Sequence, residues 1–426
     1  MKEIRIILYH RIENLSEDYN MLAVTPENFM QHMKWISEKY EILQLSEPMS
    51  NWFINDERDA VIVTFDDGYY DWLYKAAPIL SKYKIPATMF ITTGNIGTQN
   101  ELWTDNLHRA IFESKKYNDY FELKDNMISS IWGTRSLQEK VNLYISLRKI
   151  FQISSNKKRK EYEKQLLEWA GITEYGRPNR RILSKEEVQK LAKIEGISIG
   201  AHCVSHPSLK WLSNNEKEYE IVNSKKTLEN ITGQEIELFS YPFGTKNDYS
   251  EETIDVLKRY GFKKAVTGYT GKIEENTDIY QLPRFTIRNY DIEHFKDYME
   301  NVVFRNKENI IPKAKKKDVI SYVGRYEDDE LLFNGKESIV IWGIGESGRK
   351  LFKSLMADGM GERVLAFGDN DVSKNGLIIN GKPVLNLTEI ESLQMDKVYL
   401  VKGTYDWEIC KGLIERNIKN IHWIII

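Results

Sequence analysis

At 426 residues the chain exceeds the usual size of a single hydrophobic core, so two or three domains are expected. A formal net charge of -3, with no dominant Lys/Arg cluster, removes the electrostatic case for nucleic acid as a partner. Two distant cysteines, Cys203 and Cys410, exclude a disulfide framework and a cysteine zinc knot. With neither a signal-peptide core nor a run of about 18 apolar residues, a soluble cytoplasmic protein is expected.

In chain order, Ile4–His10 reads as a buried first strand that delivers Tyr9, His10 and Arg11 to its end. Thr25-Pro26 offers an N-cap with proline at the first helical position, and Phe29, Met33, Ile36 and Tyr40 follow at helical spacing. Val61–Gly68, V-I-V-T-F-D-D-G, is an apolar β-branched run that ends in two adjacent carboxylates and a glycine. An amphipathic stretch from Tyr70 to about Tyr83 and a short strand at Ala87–Thr93 complete a strand, helix, strand unit. Residues 102–193 turn charged and helical and read as an insertion, whose last helix opens on the capping box Ser184–Glu187.

The alternation then resumes. Ile197–His202 is a strand, Ser213 and Glu216 cap a helix that stops near Gly233, and Glu237–Tyr241 is a strand running into Pro242-Phe243-Gly244. A helix from about Ser250 to Tyr260 stops at Gly261, and Phe262–Thr267 and Pro283–Ile287 supply further strands. About seven strands, with polar groups at the ends of several, predict a distorted (β/α)7-type barrel over residues 1–300 rather than an open sheet. The lysine-rich stretch around Pro312 predicts a linker over 301–334, and Ser338–Trp342 begins a separate unit, 335–426.

Chemistry concentrates at four strand ends: His10, Asp66 with Asp67, His202 with His206, and Tyr241-Pro242. An H-x-x-x-H pair alone is a weak signal. Beside an Asp-Asp-Gly strand end it is a strong one, because two neutral imidazoles and a carboxylate are a standard ligand set for a catalytic divalent ion with open positions.

These motifs in order, L-Y-H-R-I, T-F-D-D-G, H-C-V-S-H-P and S-Y-P-F-G, resemble the polysaccharide deacetylase family, carbohydrate esterase family 4, over roughly residues 1–300. The resemblance implies a metal-dependent hydrolase that removes an N-acetyl group from an amino sugar. It implies Asp66 as general base, Asp67, His202 and His206 as ligands of a divalent metal such as zinc, and the Tyr241 N–H as oxyanion donor. The family's late Leu-x-His motif is missing. Resemblance to a circularly permuted branch with an N-terminal Tyr-His strand nominates His10 as general acid instead, against the alternative of a core histidine. The family's arginine before the Tyr-Pro motif is missing as well, and Arg284 is the expected replacement for orienting Asp66.

The C-terminal stretch, with Gly343, Gly345 and Gly348 after a strand and Asp369 after the next, carries the Rossmann pattern. It resembles small nucleotide-binding units attached to sugar-modifying enzymes. A nucleotide or nucleotide-sugar site and a unit for docking or oligomerisation are the two readings. The expected substrate is an amino-sugar glycan or its lipid-linked or nucleotide-linked precursor. The competing functions are a non-catalytic sugar-nucleotide-binding protein and an iron oxygenase.

Overall fold

The structure, a computed structural model, describes residues 2–304 apart from 16–17, 19–20, 55–57, 115, 117, 126–128, 136 and 174. Beyond these it describes 320–325, 338–357, 359–369, 374–393, 397–401 and 421–425. The chain forms two compact units, Met1–Arg305 and Asn306–Ile426.

In the first unit a parallel sheet runs in the order Lys264–Val266, Leu238–Ser240, Ile197–Ala201, Ala87–Ile91, Ala60–Phe65, Ile4–Tyr9, Phe285–Thr286. Every residue of Ile4–Tyr9 and Ala60–Phe65 is buried, as expected of parallel strands covered on both faces. The segment before Phe285 joins the two edges. Leu282 exchanges hydrogen bonds with Ala265 and Thr267 on one edge (3.0 and 2.9 Å), while Ile287 donates to Leu8 on the other (2.8 Å). The sheet thus closes into a small distorted barrel, the architecture that the strand ends predict. One strand, Glu41–Leu43, escapes the sequence reading. It is three residues long and shares an edge of Ala60–Phe65 with Ala87–Ile91.

Helix boundaries follow their capping chemistry. Thr25 caps Pro26–Lys39 by accepting from the Asn28 N–H, and Phe29, Met33 and Ile36 are its buried face. Ser184 and Ser213 each form a capping box, and Gly233 ends Asn214–Thr232 in the left-handed conformation. The stretch expected as one helix from Tyr70 to Tyr83 starts as a π-helical segment, Trp72–Ala76, and becomes α-helical at Ala77–Lys82. Pro78 is the physical reason, since it has no N–H for the carbonyl four residues earlier.

The insertion holds the helices Trp103–His108, Leu137–Ile153 and Asn156–Ala170 around its own core of Leu107, Phe121, Leu143, Leu147, Phe151 and Leu166. It is not wholly helical. Tyr120–Lys124 and Ser129–Gly133 pair as an antiparallel hairpin apart from the barrel.

In the second unit the order is Ile320–Arg325, Ile421–Ile425, Lys397–Val401, Ile339–Trp342, Val364–Gly368, Lys382–Leu385, Ile378–Ile379. Counting from Ile339 and setting the short Ile378–Ile379 aside, the parallel strands lie in the spatial order 3-2-1-4-5. Ile320–Arg325 is a strand within the stretch expected as a linker. Pro312 and the neighbouring lysines lie outside the described residues, as does Cys410. Among the described residues no helix is long and apolar enough to cross a membrane.

Gly200 tests the barrel packing. A Cβ there would sit 2.4 Å from the Phe90 ring and 3.0 Å from the Leu238 carbonyl oxygen. Gly200→Ala is expected to cost about 1–3 kcal/mol through overpacking, seen as a lower urea midpoint with an unchanged slope.

Candidate active site

Asp66 and Asp67 follow directly on the strand Ala60–Phe65, and the backbone gives them different surroundings. Asp66 continues the ladder, its N–H donating to the Tyr9 carbonyl at 3.1 Å. Successive strand residues point to opposite faces, so a straight chain would turn Asp67 away from the mouth. Asp67 instead takes φ +90°, a left-handed conformation that costs a non-glycine residue on the order of 1–3 kcal/mol, and Gly68 follows at +96°. A Cβ on Gly68 would lie 2.8 Å from Ile91 Cγ2, so glycine is required. Both carboxylates then face one histidine: His202 Nε2 lies 4.0 Å from Asp66 Oδ2 and 3.6 Å from Asp67 Oδ1.

Asp66 is gripped from the segment that closes the barrel. Arg284 Nη1 donates to Oδ1 at 2.8 Å and Nη2 to Oδ2 at 2.6 Å, while Arg284 Nε donates to the Thr267 carbonyl at 2.7 Å. Ser240 Oγ donates to Asp66 Oδ2 at 2.9 Å. The pair is no surface contact, since Arg284 is 1% and Asp66 4% exposed. Burial pushes the Asp66 carboxyl up, but the charge of Arg284, aided by His202 and the hydrogen bonds, holds it well below the usual carboxylate range.

His202 and His206 sit on the loop after Ile197–Ala201. His202 Nδ1 donates to the Ser240 carbonyl at 2.7 Å, which fixes the tautomer and turns an unprotonated Nε2 toward Asp67. His206 Nε2 is 3.4 Å from the same Asp67 oxygen. Among the described residues, Asp67, His202 and His206 form the one group of potential metal ligands whose donor atoms all lie within 4.8 Å of each other. Burial pushes both imidazoles down, and His202 adds to the effect on His206. Burial, then Asp66 and Asp105, pushes the Asp67 carboxyl up. One carboxylate oxygen and two neutral imidazole nitrogens with room for further ligands fit a divalent ion, whose charge would counter the forces raising Asp67.

His10 is half-buried just past the first strand, with its carbonyl accepting from Trp72 Nε1 at 2.6 Å and no partner on Nδ1. Burial pushes its pKa down to about 3; Asp66 opposes this, while Arg288, Arg284 and His202 add to it. His10 therefore lies within electrostatic reach of Asp66 and is neutral at rest.

Tyr241 does not supply the expected oxyanion donor. Its N–H donates to the Val266 carbonyl at 3.2 Å and its hydroxyl to the Tyr280 carbonyl at 3.0 Å, so both donors are committed to the barrel. Pro242 has no N–H. The first N–H past the strand without a partner among the described residues is that of Phe243, which sits at φ +61° with its ring 4.7 Å from that of His206. Sequence could have signalled this, because the ladder must end before a donor is free and proline removes the next one. Ser240 was also missed; only its position beside the Tyr-Pro pair hinted at it. A buried network of Arg11, Tyr69 and Asp105 adjoins the site, with Tyr69 Oη donating to Asp105 at 2.9 Å and Arg11 Nη1 at 3.6 Å from it.

In the second unit, Gly343 takes φ +105° and donates to the Gly368 carbonyl at 2.7 Å. A Cβ on Gly348 would meet the Gly343 carbonyl oxygen at 1.8 Å, whereas Gly345 is exposed with open space around it. Asp369 faces the Ile344 N–H at 3.5 Å and pairs with Lys374 at 3.2 Å.

Residues 54–115 and 150–278 match the family model for polysaccharide deacetylase, and residues 335–424 match a family described as C2185-like, N-terminal. YxkH of Bacillus subtilis (strain 168), whose name places it with the polysaccharide deacetylases, is 23% identical over 289 residues, covering 67% of this chain and 71% of the relative. The poly-beta-1,6-N-acetyl-D-glucosamine N-deacetylase of Staphylococcus aureus (strain MRSA252) is 26% identical over 286 residues, covering 66% and 72%. The solved structure of the Streptococcus pyogenes deacetylase PplD in complex with acetate aligns with 70% of this chain and 98% of that chain, at 21% identity and a TM-score of 0.44.

Arg284→Met would leave the Asp66 carboxylate buried without its partner, and is expected to cost about 3–5 kcal/mol at pH 7. Because the folded pKa of Asp66 is depressed below an unfolded value of about 3.9, the pair's contribution is complete above that value and is lost as pH falls toward the folded pKa. By this linkage the gap between the urea midpoints of wild type and variant should narrow as pH falls below about 4; a gap unchanged between about pH 5 and pH 3 would contradict the assignment.

Proposed function

We propose, from the premise that this chain belongs to the polysaccharide deacetylase family, a metal-dependent hydrolysis of N-acetylated amino-sugar residues at the mouth formed by Asp66, Asp67, His202 and His206. The enzyme class is carbohydrate N-deacetylase. The observation that carries the finer reading is the convergence of Asp67, His202 and His206 beside an aspartate that Arg284 keeps ionised. A complete ligand set weighs against a non-catalytic scaffold, and the closed α/β barrel weighs against an iron oxygenase.

A divalent ion such as zinc, held by Asp67, His202 and His206, would supply Lewis acidity and lower the pKa of a water from about 15.7 toward about 7. Asp66, fixed in place by Arg284 and Ser240, accepts the proton of the attacking water. Its depressed pKa means that the proton is readily given up again. The Phe243 N–H takes the oxyanion role that sequence assigned to Tyr241. His10 delivers a proton to the leaving nitrogen, a step that an amide needs because its anion is a very poor leaving group. His10 is neutral at rest, so the proton it delivers is the one that Asp66 takes from the attacking water and gives up again, passed on as negative charge builds at the mouth. The water's oxygen stays on the acetate and the amine leaves neutral.

The second unit we read as Rossmann-like, with a nucleotide or nucleotide sugar at Gly343, Gly345, Gly348 and Asp369. The 3-2-1-4-5 strand order and the tight approach of Gly348 to Gly343 support that reading.

The test is release of acetate with matching free amine from oligomers of N-acetylglucosamine, after chelation and with added zinc, manganese, cobalt or iron. Release that depends on metal and falls about 10²–10⁴-fold in Asp66→Asn is expected; release that survives either change overturns the mechanism. His10→Ala is expected to lose a similar factor on the amide. It should spare an aryl acetate, whose leaving group departs without a proton.

A further inference from the structure

We infer that Glu220 and Arg159 are positioning residues that preset the loop His202–His206 for its metal ion, and that the insertion serves in part as the brace for this loop. The inference rests on the metal reading above and concerns how the ligands are held.

Most of the backbone groups of the loop have partners. The His202 N–H donates to Ile91, the Cys203 carbonyl accepts from Thr93, and the Val204 carbonyl accepts from Gly94 at 2.6 Å. That approach requires a glycine, since a Cβ on Gly94 would lie 2.5 Å from the same oxygen. The N–H groups of Val204 and Ser205 have no backbone acceptor among the described residues. Glu220 Oε2 takes both, Val204 at 2.9 Å and Ser205 at 2.8 Å, while Oε1 accepts from Ser205 Oγ at 2.5 Å. The Ser205 carbonyl accepts from Arg159 Nη2 at 2.7 Å, and the His206 carbonyl from Trp103 Nε1 at 3.1 Å.

Glu220 lies on the helix Asn214–Thr232, and Arg159 and Trp103 lie on the insertion. Glu220 and Arg159 are each 2% exposed, so this is a buried charge arrangement with Ser205 between opposite signs. Burying two charges costs solvation that a loop with ordinary torsions would not require. This loop is not ordinary: Cys203 and His206 stand at φ +64° and +56°. Without the carboxylate, two buried N–H groups lose their acceptor, and the strained torsions lose what opposes their relaxation. Either change would turn the imidazoles away from Asp67.

The test is zinc binding by the full chain, measured by competition with a chromophoric chelator, alongside the urea midpoint of the metal-free protein. Glu220→Ala is expected to weaken zinc binding about 10–100-fold, the range typical of residues that support ligands. Glu220→Gln keeps an acceptor for the two N–H groups and is expected to stay within about threefold of wild type. Folded Glu220→Ala with wild-type affinity overturns the inference, as does a glutamine variant as weak as the alanine one. If Glu220→Ala does not fold, Arg159→Met decides: severalfold weaker binding supports the brace, and unchanged affinity overturns it. A wild-type protein that binds no zinc, manganese, cobalt or iron would instead overturn the metal reading itself.

Discussion

Arg284 closes the barrel and neutralises Asp66 at one place, which couples the fold to the chemistry. The segment that carries it bonds one edge strand through Leu282 and the other through Ile287. Its guanidinium crosses the barrel mouth, with Nε on Thr267, Nη1 and Nη2 on Asp66 and Nη2 also on Ser240. A buried ion pair is stabilising only when its remaining donors and acceptors are met, and these are. The same carboxylate is thereby held ionised and committed to Arg284 and Ser240, while Asp67 faces the histidines.

The strain needed to bring these groups together is local. Of the seven non-glycine residues with positive φ among the described residues, four are Asp67, Cys203, His206 and Phe243. Such torsions persist where the surroundings over-determine them. Here the surroundings are the buried strands on one side and the insertion on the other. Rigid placement suits the proposed reaction, in which two carboxylates of adjacent sequence take different roles, one as proton acceptor and one as ligand.

Much of this was legible in the sequence because its signals are local and chemical. Val61–Phe65 reads as a buried strand from its β-branched residues, and Ser213 with Glu216 announces a helix start that the structure places there. What escaped depended on partners distant in sequence. Glu41–Leu43 is a strand only because Ala60–Phe65 has an edge to offer; the pair Tyr120–Lys124 and Ser129–Gly133 is the local exception, two short strands inside a stretch whose other elements are helices. Tyr241 was misassigned because a motif marks residues but not which N–H is already in a ladder. Glu220, Arg159 and Trp103 carry no motif, and the loop they hold gives no sign in sequence of needing them.

The central claim is the division between the paired carboxylates, and anomalous diffraction from crystals soaked in zinc tests it most directly. The account predicts one ion at the mouth, ligated by a carboxylate oxygen of Asp67 and by Nε2 of His202 and His206, with Asp66 still forked by Arg284. An ion ligated by Asp66, with the Arg284 fork broken, would contradict it.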